Sequence, residues 1–436
     1  MRKLTLIGTA LLITLSSHAG GLLTNTNQHA AFLRMLARGA SLQIDGVYTN
    51  PAGIGFMDNG LYFSINGQSV YQTRNIESTF ALFPEDNHTR KYKGTASAPI
   101  VPSIYGVYKK GDWAISGFAG VVGGGGKASF DTGLPMFDSR VMASIYSASK
   151  GTITPNMYTI KTAMSGKQYI YGLQLGLSYK FNKNVSGYIG GRMNYFSGNY
   201  SGYVNATMKS VETTLANVKL DCDQTGWGLT PIIGLDINSG KWNIGIKYEF
   251  MANLNIQNTT KENSDPDGAL SDFKDGVNTP NDIPSMLSAA VSYQFTPKLR
   301  ATGEFHFYDD KNAGMAKDKQ RALTRGTYEF LAGAEYDVLP VLTVSAGVQR
   351  TDYGLSDNYQ SDTSFSCDSY SVGFGAAIKF SPKVTMNVGY FWTNYSNYTK
   401  ETAASATGGY NGTTLAGKDV YSRTNKVFGL GIDYKF

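Results

Sequence analysis

The sequence contains little charge, little cysteine and no long hydrophobic run after its first twenty residues. Charged residues make up 17% of the 436, and only two residues are cysteines. So low a charge argues against a freely solvated surface, and no run of Lys or Arg indicates nucleic-acid binding. No later apolar stretch reaches the roughly 18 residues that a transmembrane helix needs. A helical membrane protein and a nucleic-acid-binding protein are therefore excluded.

The residues that hydrolases and metal sites need are also scarce. The chain has four histidines, and no serine motif accompanies His306, which shares the polar face of its strand with Arg300 and Glu304. The stretch NSDPDG at 263–268 begins like a calcium loop, but Lys274 stands where such a loop requires a glutamate ligand. We therefore predict no catalysis, no cofactor and no bound metal.

The chain begins with the features of a signal peptide. Two basic residues are followed by an apolar core from Leu4 to Leu15 and by a small-residue cleavage site at 17–19. The alternative, a short membrane anchor, is disfavoured because the core cannot span a bilayer. We predict a signal peptide at 1–19 and a mature chain that begins near Gly20.

Glycine and aromatic residues are abundant, with 50 Gly, 29 Tyr and 22 Phe. They occur in stretches of strict period-2 alternation, such as QYIYGLQLGLSYKF (168–181), WNIGIKYEF (242–250) and YSVGFGAAIKF (370–380). Tyr, Phe and Trp lie mostly at the ends of each apolar face, and small aliphatic residues lie in its middle. A β-sandwich also alternates, but aromatic girdles at both ends of an apolar band are typical of a transmembrane β-barrel.

Short turns alternate with long polar connections along the chain. This asymmetry indicates an outer-membrane barrel with short turns facing the periplasm. About fourteen strands fit between the connections, so we predict a transmembrane antiparallel β-barrel over residues 60–436, in the outer membrane of a Gram-negative bacterium. The last residue, Phe436, resembles the signal that the barrel assembly machinery recognises. The predicted long connections are 73–99, 123–167, 201–223, 255–281, 309–324, 355–368 and 396–423.

Residues 20–59 precede the first strand and lack its alternation, and we call them the hatch segment. A barrel of about fourteen strands is too wide for its own side chains to fill. The segment has an apolar helical face that includes Phe32 and Leu33, and the lumen can bury it. Pro51 restricts the chain, and Gly53 and the glycines after it let it bend from lumen to wall. A simple turn at the entry to the first strand is the alternative.

The stretch GAS…DGVYTNPAGIGF resembles the hatch of the FadL-type family of outer-membrane transporters for long-chain fatty acids. Asn50, Pro51 and Ala52 match the hatch motif of that family, and the predicted signal peptide, strand number and terminal Phe agree over the whole chain. The resemblance implies an N-terminal hatch inside the barrel. The hatch residues to which it points are Phe32, Leu33, Asn50, Pro51, Ala52 and Gly53.

The resemblance also implies a kinked third strand that opens a lateral gate in the barrel wall. In this sequence the third strand is WAISGFAGVVGGGGKASF, and Gly123, Gly124, Gly125 and Gly126 lie where its alternation ends. Four glycines favour a bulge or kink. Gly117 and Gly120 are alternative positions for the gate, and a flexible start to the next loop is the alternative explanation of the run.

The connection after this strand carries apolar residues at helical spacing. In the family such a loop docks a hydrophobic ligand, and flexible methionines suit several apolar shapes. A helix that packs as a lid against the neighbouring loops is the alternative. The predicted docking residues are Leu134, Met136, Phe137, Val141, Met142 and Ile145.

Cys222 and Cys367 both fall in predicted extracellular loops. The oxidising periplasm permits a disulfide between them, which would require the loops to fold across the barrel mouth. Two free thiols buried in the loops are the alternative.

These features predict a passive uptake channel for hydrophobic molecules, with long-chain fatty acids implied by the resemblance and lateral release through the wall. The expected partners are a hydrophobic small molecule, outer-membrane lipid or lipopolysaccharide, and the barrel assembly machinery through Phe436. We expect a monomer. The rival prediction is a general diffusion porin for small polar solutes, and a barrel that acts as an adhesin through its loops is a third possibility.

Overall fold

The structure is a computed structural model of the chain that describes residues 23–25 and 27–436. The predicted signal peptide at 1–19 lies outside the described residues. So do 20–22, at the start of the hatch segment, and Thr26.

The described residues form one antiparallel sheet that closes on itself. Its strands are β1 (Gly60–Phe80), β2 (Thr89–Lys110), β3 (Trp113–Phe130), β4 (Tyr158–Lys180), β5 (Val185–Met208), β6 (Thr214–Ser239), β7 (Trp242–Glu249), β8 (Asn255–Asn263), β9 (Asn278–Pro280), β10 (Met286–Thr296), β11 (Leu299–Tyr308), β12 (Thr327–Leu339), β13 (Leu342–Asp352), β14 (Ser369–Ser381), β15 (Val384–Tyr395), β16 (Tyr398–Thr402) and β17 (Gly417–Lys435). The sheet closes because β1 pairs with both β2 and β17. Strands β8 and β16 continue β7 and β15 along their neighbours, and β9 pairs with β8. Without these three short strands the wall has fourteen, which confirms the predicted barrel.

The outer surface of the barrel carries an apolar band between two sets of aromatic side chains. At the rim of short turns Trp113 packs on Tyr179, with ring centroids 4.3 Å apart. Towards the other end Tyr195 packs on Trp227 at 4.4 Å. Exposed aliphatic residues such as Leu175 lie between these levels. An apolar band with aromatic girdles is the surface of an outer-membrane barrel, so the predicted location is confirmed.

Several predicted extracellular loops are wrong because the strands extend far beyond the membrane. The predicted loop 201–223 shrinks to 209–213, since β5 and β6 stay paired up to Thr207 and Thr214. The predicted loop 73–99 shrinks in the same way to 81–88. The upper ends of these strands are polar, so their hydropathy resembles that of a loop. Backbone hydrogen bonding does not need apolar side chains and continues there.

The helices of the described residues are short. They are α1 (Ala30–Arg34), α2 (Gly46–Thr49) and α3 (Pro135–Ala148), with 3-10 turns at Pro51–Phe56, Asp86–His88, Pro155–Met157, Ser271–Phe273, Asp310–Asn312, Ala316–Ala322 and Tyr410–Gly412. No described helix is both long enough and apolar enough to cross a membrane.

The described residues of the hatch segment lie inside the barrel from about residue 27 to residue 55. Helix α1 packs against β14, β15 and β17, and the Pro51–Phe56 turn packs against β4, β5 and β6. Phe32 and Leu33 form a buried cluster with Phe391 and Val427 of the wall. The part of the segment between 27 and 55 is almost entirely buried, so it fills much of the lumen that the wall side chains leave open.

Candidate functional site

The Asn-Pro-Ala motif attaches the hatch segment to the barrel wall. The Asn50 side-chain amide donates hydrogen bonds to the Ser41 carbonyl, at 3.1 Å, and to Oδ2 of Asp236, at 2.5 Å. The Pro51 carbonyl accepts a hydrogen bond of 2.7 Å from the Ser178 hydroxyl. Ala52 is fully buried in an apolar cluster of the wall. All three residues of the motif therefore have contacts that hold the segment in place.

Gly53 and Gly60 shape the passage from lumen to wall. A Cβ atom on Gly53 would lie 2.8 Å from the Ser41 carbonyl oxygen, so only glycine fits without a shift of the backbone. Gly60 begins β1 with φ of +151°, a conformation that side chains disfavour. The glycines next to the motif are thus needed for a close approach and for the entry to β1.

Two arginines of the hatch segment are buried in ion pairs, and sequence reasoning did not single them out. Arg34 donates to Oε1 of Glu335 on β12 at 2.5 Å, and Arg38 donates to the same oxygen at 3.2 Å. Arg38 also makes a bidentate pair with Asp45, at 2.6 and 2.9 Å. Arg300 of β11 pairs with the other oxygen of Glu335. The sequence did contain a signal for these ion pairs, because two arginines four residues apart in an apolar segment must find buried partners.

Wall glycines let the hatch backbone approach the sheet closely. A Cβ on Gly389 of β15 would lie 2.7 Å from the backbone nitrogen of Arg34 and from Cβ of Leu33. A Cβ on Gly373 of β14 would lie 2.8 Å from Cδ2 of Leu36. The sequence showed these glycines only as small residues facing away from the apolar band. Their role became visible once the hatch segment was placed against them.

His306 joins a polar network that also contacts the hatch segment. Its ring nitrogens lie 2.5 Å from Oε1 of Glu304 and 3.0 Å from Oε2 of Glu329. Glu304 in turn accepts a hydrogen bond of 2.7 Å from the backbone N–H of Gly39.

The NSDPDG turn resembles the start of a calcium loop, and its Asp267 forms an ion pair of 2.7 Å with Lys274. No group of three or more His, Cys, Asp or Glu residues within the described chain is placed to hold a metal ion.

The hydrogen-bonded wall is interrupted between β2 and β3. Pairing stops above Ser103–Gly120 and resumes only at Ala96–Ala128. On its other side β3 also shifts register against β4, between Val121 and Gly126. We call this interruption the wall gap. Along this stretch the facing edges of β2 and β3 are not hydrogen-bonded to each other, which is unusual in a closed barrel.

The predicted gate glycines fall at different distances from the wall gap. The run from Gly123 to Gly126, Gly125 included, lies within it, and Gly124 and Gly126 have φ of +104° and +69°. Gly120 forms its lower edge, and Gly117 lies below it in regular pairing with Gly106. Two glycines at the register shift of β3 thus have backbone conformations that other residues adopt at a cost.

A cavity of about 110 Å³ lies between the hatch segment and the wall gap. Its apolar side includes Phe32 and Leu33 of the hatch segment and Phe391 of the wall, and Val121, Gly124 and Gly126 connect it with the gap. Its polar lining includes Thr24, Asn25, Asn27, Gln28, Gln68, Gln72, Arg74, Gln168, Arg423 and Asn425. One cavity thus combines an apolar wall with basic and amide groups.

Two arginines at this cavity have no acidic partner. Arg74 of β1 and Arg423 of β17 are direct partners in the sheet register, and both line the cavity. Neither makes an ion pair with any described residue. Nε of Arg74 is buried without a hydrogen-bond acceptor in the part of the chain that the structure describes. Like charges directly opposite each other are unfavourable, so an anion placed between them would relieve the repulsion.

The predicted docking residues of α3 are buried. Leu134, Met136, Phe137, Val141, Met142 and Ile145 all pack in the apolar cluster at the extracellular end of the barrel. This arrangement matches the lid that was the alternative prediction, because the apolar face of α3 points at the barrel and not at solvent. Phe137 also lines a small apolar pocket with Tyr200 and Leu220.

Buried carboxylates hold α3 in this position. Asp138 accepts hydrogen bonds from Arg90 at 2.5 Å and from the Tyr92 hydroxyl at 2.8 Å. Oδ2 of Asp362 accepts a hydrogen bond of 2.7 Å from the backbone N–H of Met136. Burial raises the pKa of Asp138. Burial, together with the Asp419 carboxylate, raises the pKa of Asp362 to about 7.

The two cysteines are free, so a disulfide between them is not formed. Cys222 also lies in β6 and not in a loop, which corrects its predicted position. Its thiol accepts a hydrogen bond of 3.4 Å from the Thr260 hydroxyl, and Cys367 lies 3.7 Å from the Tyr421 carbonyl. Each thiol packs locally in the extracellular apolar cluster, and the loops do not bring them together.

Comparison with solved structures finds the same fold elsewhere. A FadL homologue of Pseudomonas aeruginosa matches with a TM-score of 0.69 at 15% identity, covering 95% of this chain and 100% of that chain. The toluene transporter TodX of P. putida matches with a TM-score of 0.57 at 12% identity, covering 90% and 94%. The monoaromatic hydrocarbon channel CymD matches with a TM-score of 0.53 at 12% identity, covering 99% and 98%. Family models and curated protein sequences gave no match.

The fold and the site together define an outer-membrane β-barrel whose lumen holds residues 27–55. The chain has the fold of the FadL-type outer-membrane transporters, so the resemblance inferred from the Asn-Pro-Ala motif is confirmed at the level of the fold.

Proposed function

We propose that the chain is an outer-membrane uptake channel for hydrophobic molecules with an acidic headgroup, and that long-chain fatty acids are its substrate. The observation that carries this proposal is that Arg74 and Arg423 face each other beside an apolar cavity wall and have no acidic partner among the described residues. A carboxylate would accept charge-assisted hydrogen bonds from the two guanidinium groups, and the hydrocarbon chain would pack on Phe32, Leu33 and Phe391. A neutral solute offers the arginines no such partner.

The transport path runs from the extracellular lid to the wall gap. A ligand enters beneath α3, reaches the cavity, and leaves sideways through the opening lined by Val121, Gly124 and Gly126. The hatch segment closes the route to the periplasm through its contacts at Arg34, Asn50 and Pro51. No energy source is required, because the hydrophobic ligand moves into the apolar bilayer.

Neutral aromatic hydrocarbons are a second candidate substrate class, since TodX and CymD are described as toluene and monoaromatic hydrocarbon channels. The apolar part of the cavity would accept them, but they would leave Arg74 and Arg423 without a counter-ion. A general diffusion porin is disfavoured because the hatch segment fills the lumen through which polar solutes would pass.

The test is equilibrium binding to the detergent-purified barrel, with a fluorescent long-chain fatty acid as the probe. Competitors are the unlabelled acid, the alcohol of equal chain length, and toluene. The acid should displace the probe about tenfold more tightly than the alcohol, because hydrogen bonds to charged groups contribute about 1.5–3 kcal/mol. An Arg74→Gln/Arg423→Gln variant should abolish this difference. The exposed Lys426→Gln is the matched control, and an intact barrel is verified by heat-modifiable migration on gels.

Equal affinities for acid and alcohol in the unchanged protein would contradict the acidic headgroup, and tight competition by toluene would favour the hydrocarbon class.

Ion conductance in planar bilayers tests the hatch segment. We expect little current from the intact barrel or a Pro51→Ala variant, and a large current after deletion of residues 20–59. A steady current from the intact barrel would instead support the porin.

A further inference from the structure

Four exposed lysines lie on the outer surface of the barrel, on the strands that border the wall gap. They are Lys93 of β2, Lys127 of β3, and Lys161 and Lys167 of β4, and we call them the basic patch. All four alternate with inward-facing, buried or half-buried residues, so they face outward. Lys127 and Lys167 are direct partners in the register of β3 and β4.

The direct pairing of Lys127 and Lys167 is unfavourable without an anion. Side chains at directly opposite positions have Cβ atoms about 5 Å apart, and like charges there repel each other. No ion pair involves any of the four lysines of the basic patch within the described chain. Several exposed lysines elsewhere in the extracellular half do have acidic partners. Lys91, for example, pairs with Glu77 at 3.1 Å, Lys261 with Asp223 at 2.6 Å, and Lys418 with Glu401 at 3.0 Å.

The basic patch lies where the headgroups of the outer leaflet would be. Tyr169 and Tyr171 of β4 face outward in the extracellular aromatic set, and Lys167 is two residues further from the membrane. The Lys167 ammonium lies 5.7 Å from the centre of the Tyr169 ring. Aromatic girdles mark the interface between hydrocarbon and headgroups, so a cation just beyond Tyr169 meets the headgroup layer.

We propose that the basic patch binds the phosphate groups of lipopolysaccharide, with one phosphate held between Lys127 and Lys167. Charge complementarity selects this occupant, because the patch is cationic, forms no ion pair within the described chain and faces the phosphorylated outer leaflet. Asp223, whose carboxylate interacts electrostatically with Lys167, is already paired with Lys261 at 2.6 Å. Lys93 and Lys161 supply further positive charge above Lys127 and Lys167. The bound lipid would lie beside the wall gap and form its outer border.

The experiment titrates the purified full barrel with bisphosphorylated lipid A in detergent. A Lys127→Gln/Lys167→Gln variant is compared with Lys183→Gln/Lys241→Gln, which removes the same charge from the periplasmic turns. Each lysine near an anionic lipid surface contributes about fivefold in affinity, so the first variant should bind about 25-fold more weakly. The control should bind as the unchanged protein does.

Two further titrations distinguish the possible sources of phosphate. Dephosphorylated lipid A should bind the unchanged protein as weakly as lipid A binds the Lys127→Gln/Lys167→Gln variant, and inorganic phosphate should compete poorly. Equal loss of binding in both double variants would overturn the proposal, as would full competition by inorganic phosphate. Binding that is insensitive to all four substitutions would also overturn it. The fatty-acid assay is independent of these outcomes, since neither Lys127 nor Lys167 lines the lumen cavity.

Discussion

Arg34 and Glu335 form a buried ion pair across 301 residues of sequence, and this pair joins the hatch segment to strand β12. Both side chains are almost fully inaccessible to solvent. The Glu335 carboxylate also accepts hydrogen bonds from Arg38 and Arg300, so three guanidinium groups share this acid, and Arg38 has Asp45 as a second acidic partner. The hatch segment is therefore held by one buried ionic cluster and not only by apolar packing.

Substitution Glu335→Gln should loosen the hatch segment. It leaves Arg34 and Arg38 buried without their shared counter-ion, and breaking a buried pair in this way costs about 3–5 kcal/mol. We expect higher ion conductance in planar bilayers and faster proteolysis within residues 27–59. The control is Glu77→Gln, which breaks only the exposed ion pair with Lys91. It should change the stability of the protein by no more than about 1 kcal/mol. Unchanged conductance in Glu335→Gln would show that the cluster does not hold the segment.

A methyl group at Gly389 should displace the hatch segment. The added Cβ would lie 2.7 Å from the Arg34 backbone nitrogen, so Gly389→Ala forces α1 away from β15. Such overpacking costs about 1–3 kcal/mol, and we expect it to raise conductance. Gly106→Ala is the matched control, because no atom lies within 4 Å of its Cβ position. If both variants behave alike, close approach at Gly389 is not what seats the segment.

The attachment of α3 should weaken as the pH rises from 4 to 8. The pKa of Asp362 is raised by burial from 3.8 to about 7, so the folded loop favours the protonated acid. The contribution of protonated Asp362 to the stability of the folded loop is therefore complete below about pH 4 and is lost as the pH rises through about 7. A spin label at Tyr146→Cys should become more mobile over that range. In an Asp362→Asn background the mobility should not follow this titration, and a slope that persists there would assign it to another group.

Both cysteines should be free and unreactive in the native barrel. Burial raises the pKa of Cys367 to about 11, which disfavours the reactive thiolate. A thiol reagent should therefore label neither cysteine until the barrel is unfolded, after which it should label both. Migration on denaturing gels should be the same with and without reductant. A faster-migrating form that disappears on reduction would indicate a disulfide.

The barrel could be predicted from local patterns because its strands are exposed to lipid on one side. Each strand of 168–181, 242–250 or 370–380 must alternate in its own sequence, whatever its neighbours are. The Asn-Pro-Ala motif was equally visible, since Pro51 restricts the chain locally. The ends of the strands could not be seen in the sequence, because above the membrane the lipid no longer imposes an apolar face. That is why the loop at 201–223 was placed wrongly.

The parts of the site that depend on distant pairs could not be predicted. Nothing near Arg34 in the sequence indicates Glu335, and nothing near Arg74 indicates that it faces another arginine. The burial of α3 could not be predicted either, because it depends on contacts with residues that lie far away in the sequence. An amphipathic helix of this spacing suits an open groove or a closed lid equally well, and only the apolar residues that meet it, such as Phe80 and Tyr92, decide between them.

The sequence by itself determined the barrel, its membrane and the presence of an N-terminal segment that needs burial, because alternation, aromatic placement and apolar periodicity are local properties. The tertiary structure decided which charges are paired and which are not. Arg34 and Arg38 pair with Glu335, whereas Arg74 and Arg423 face each other in the sheet and form no ion pair with any described residue. Pairing depends on strand register around a closed barrel. Register is set by contacts between segments that lie far apart in the chain.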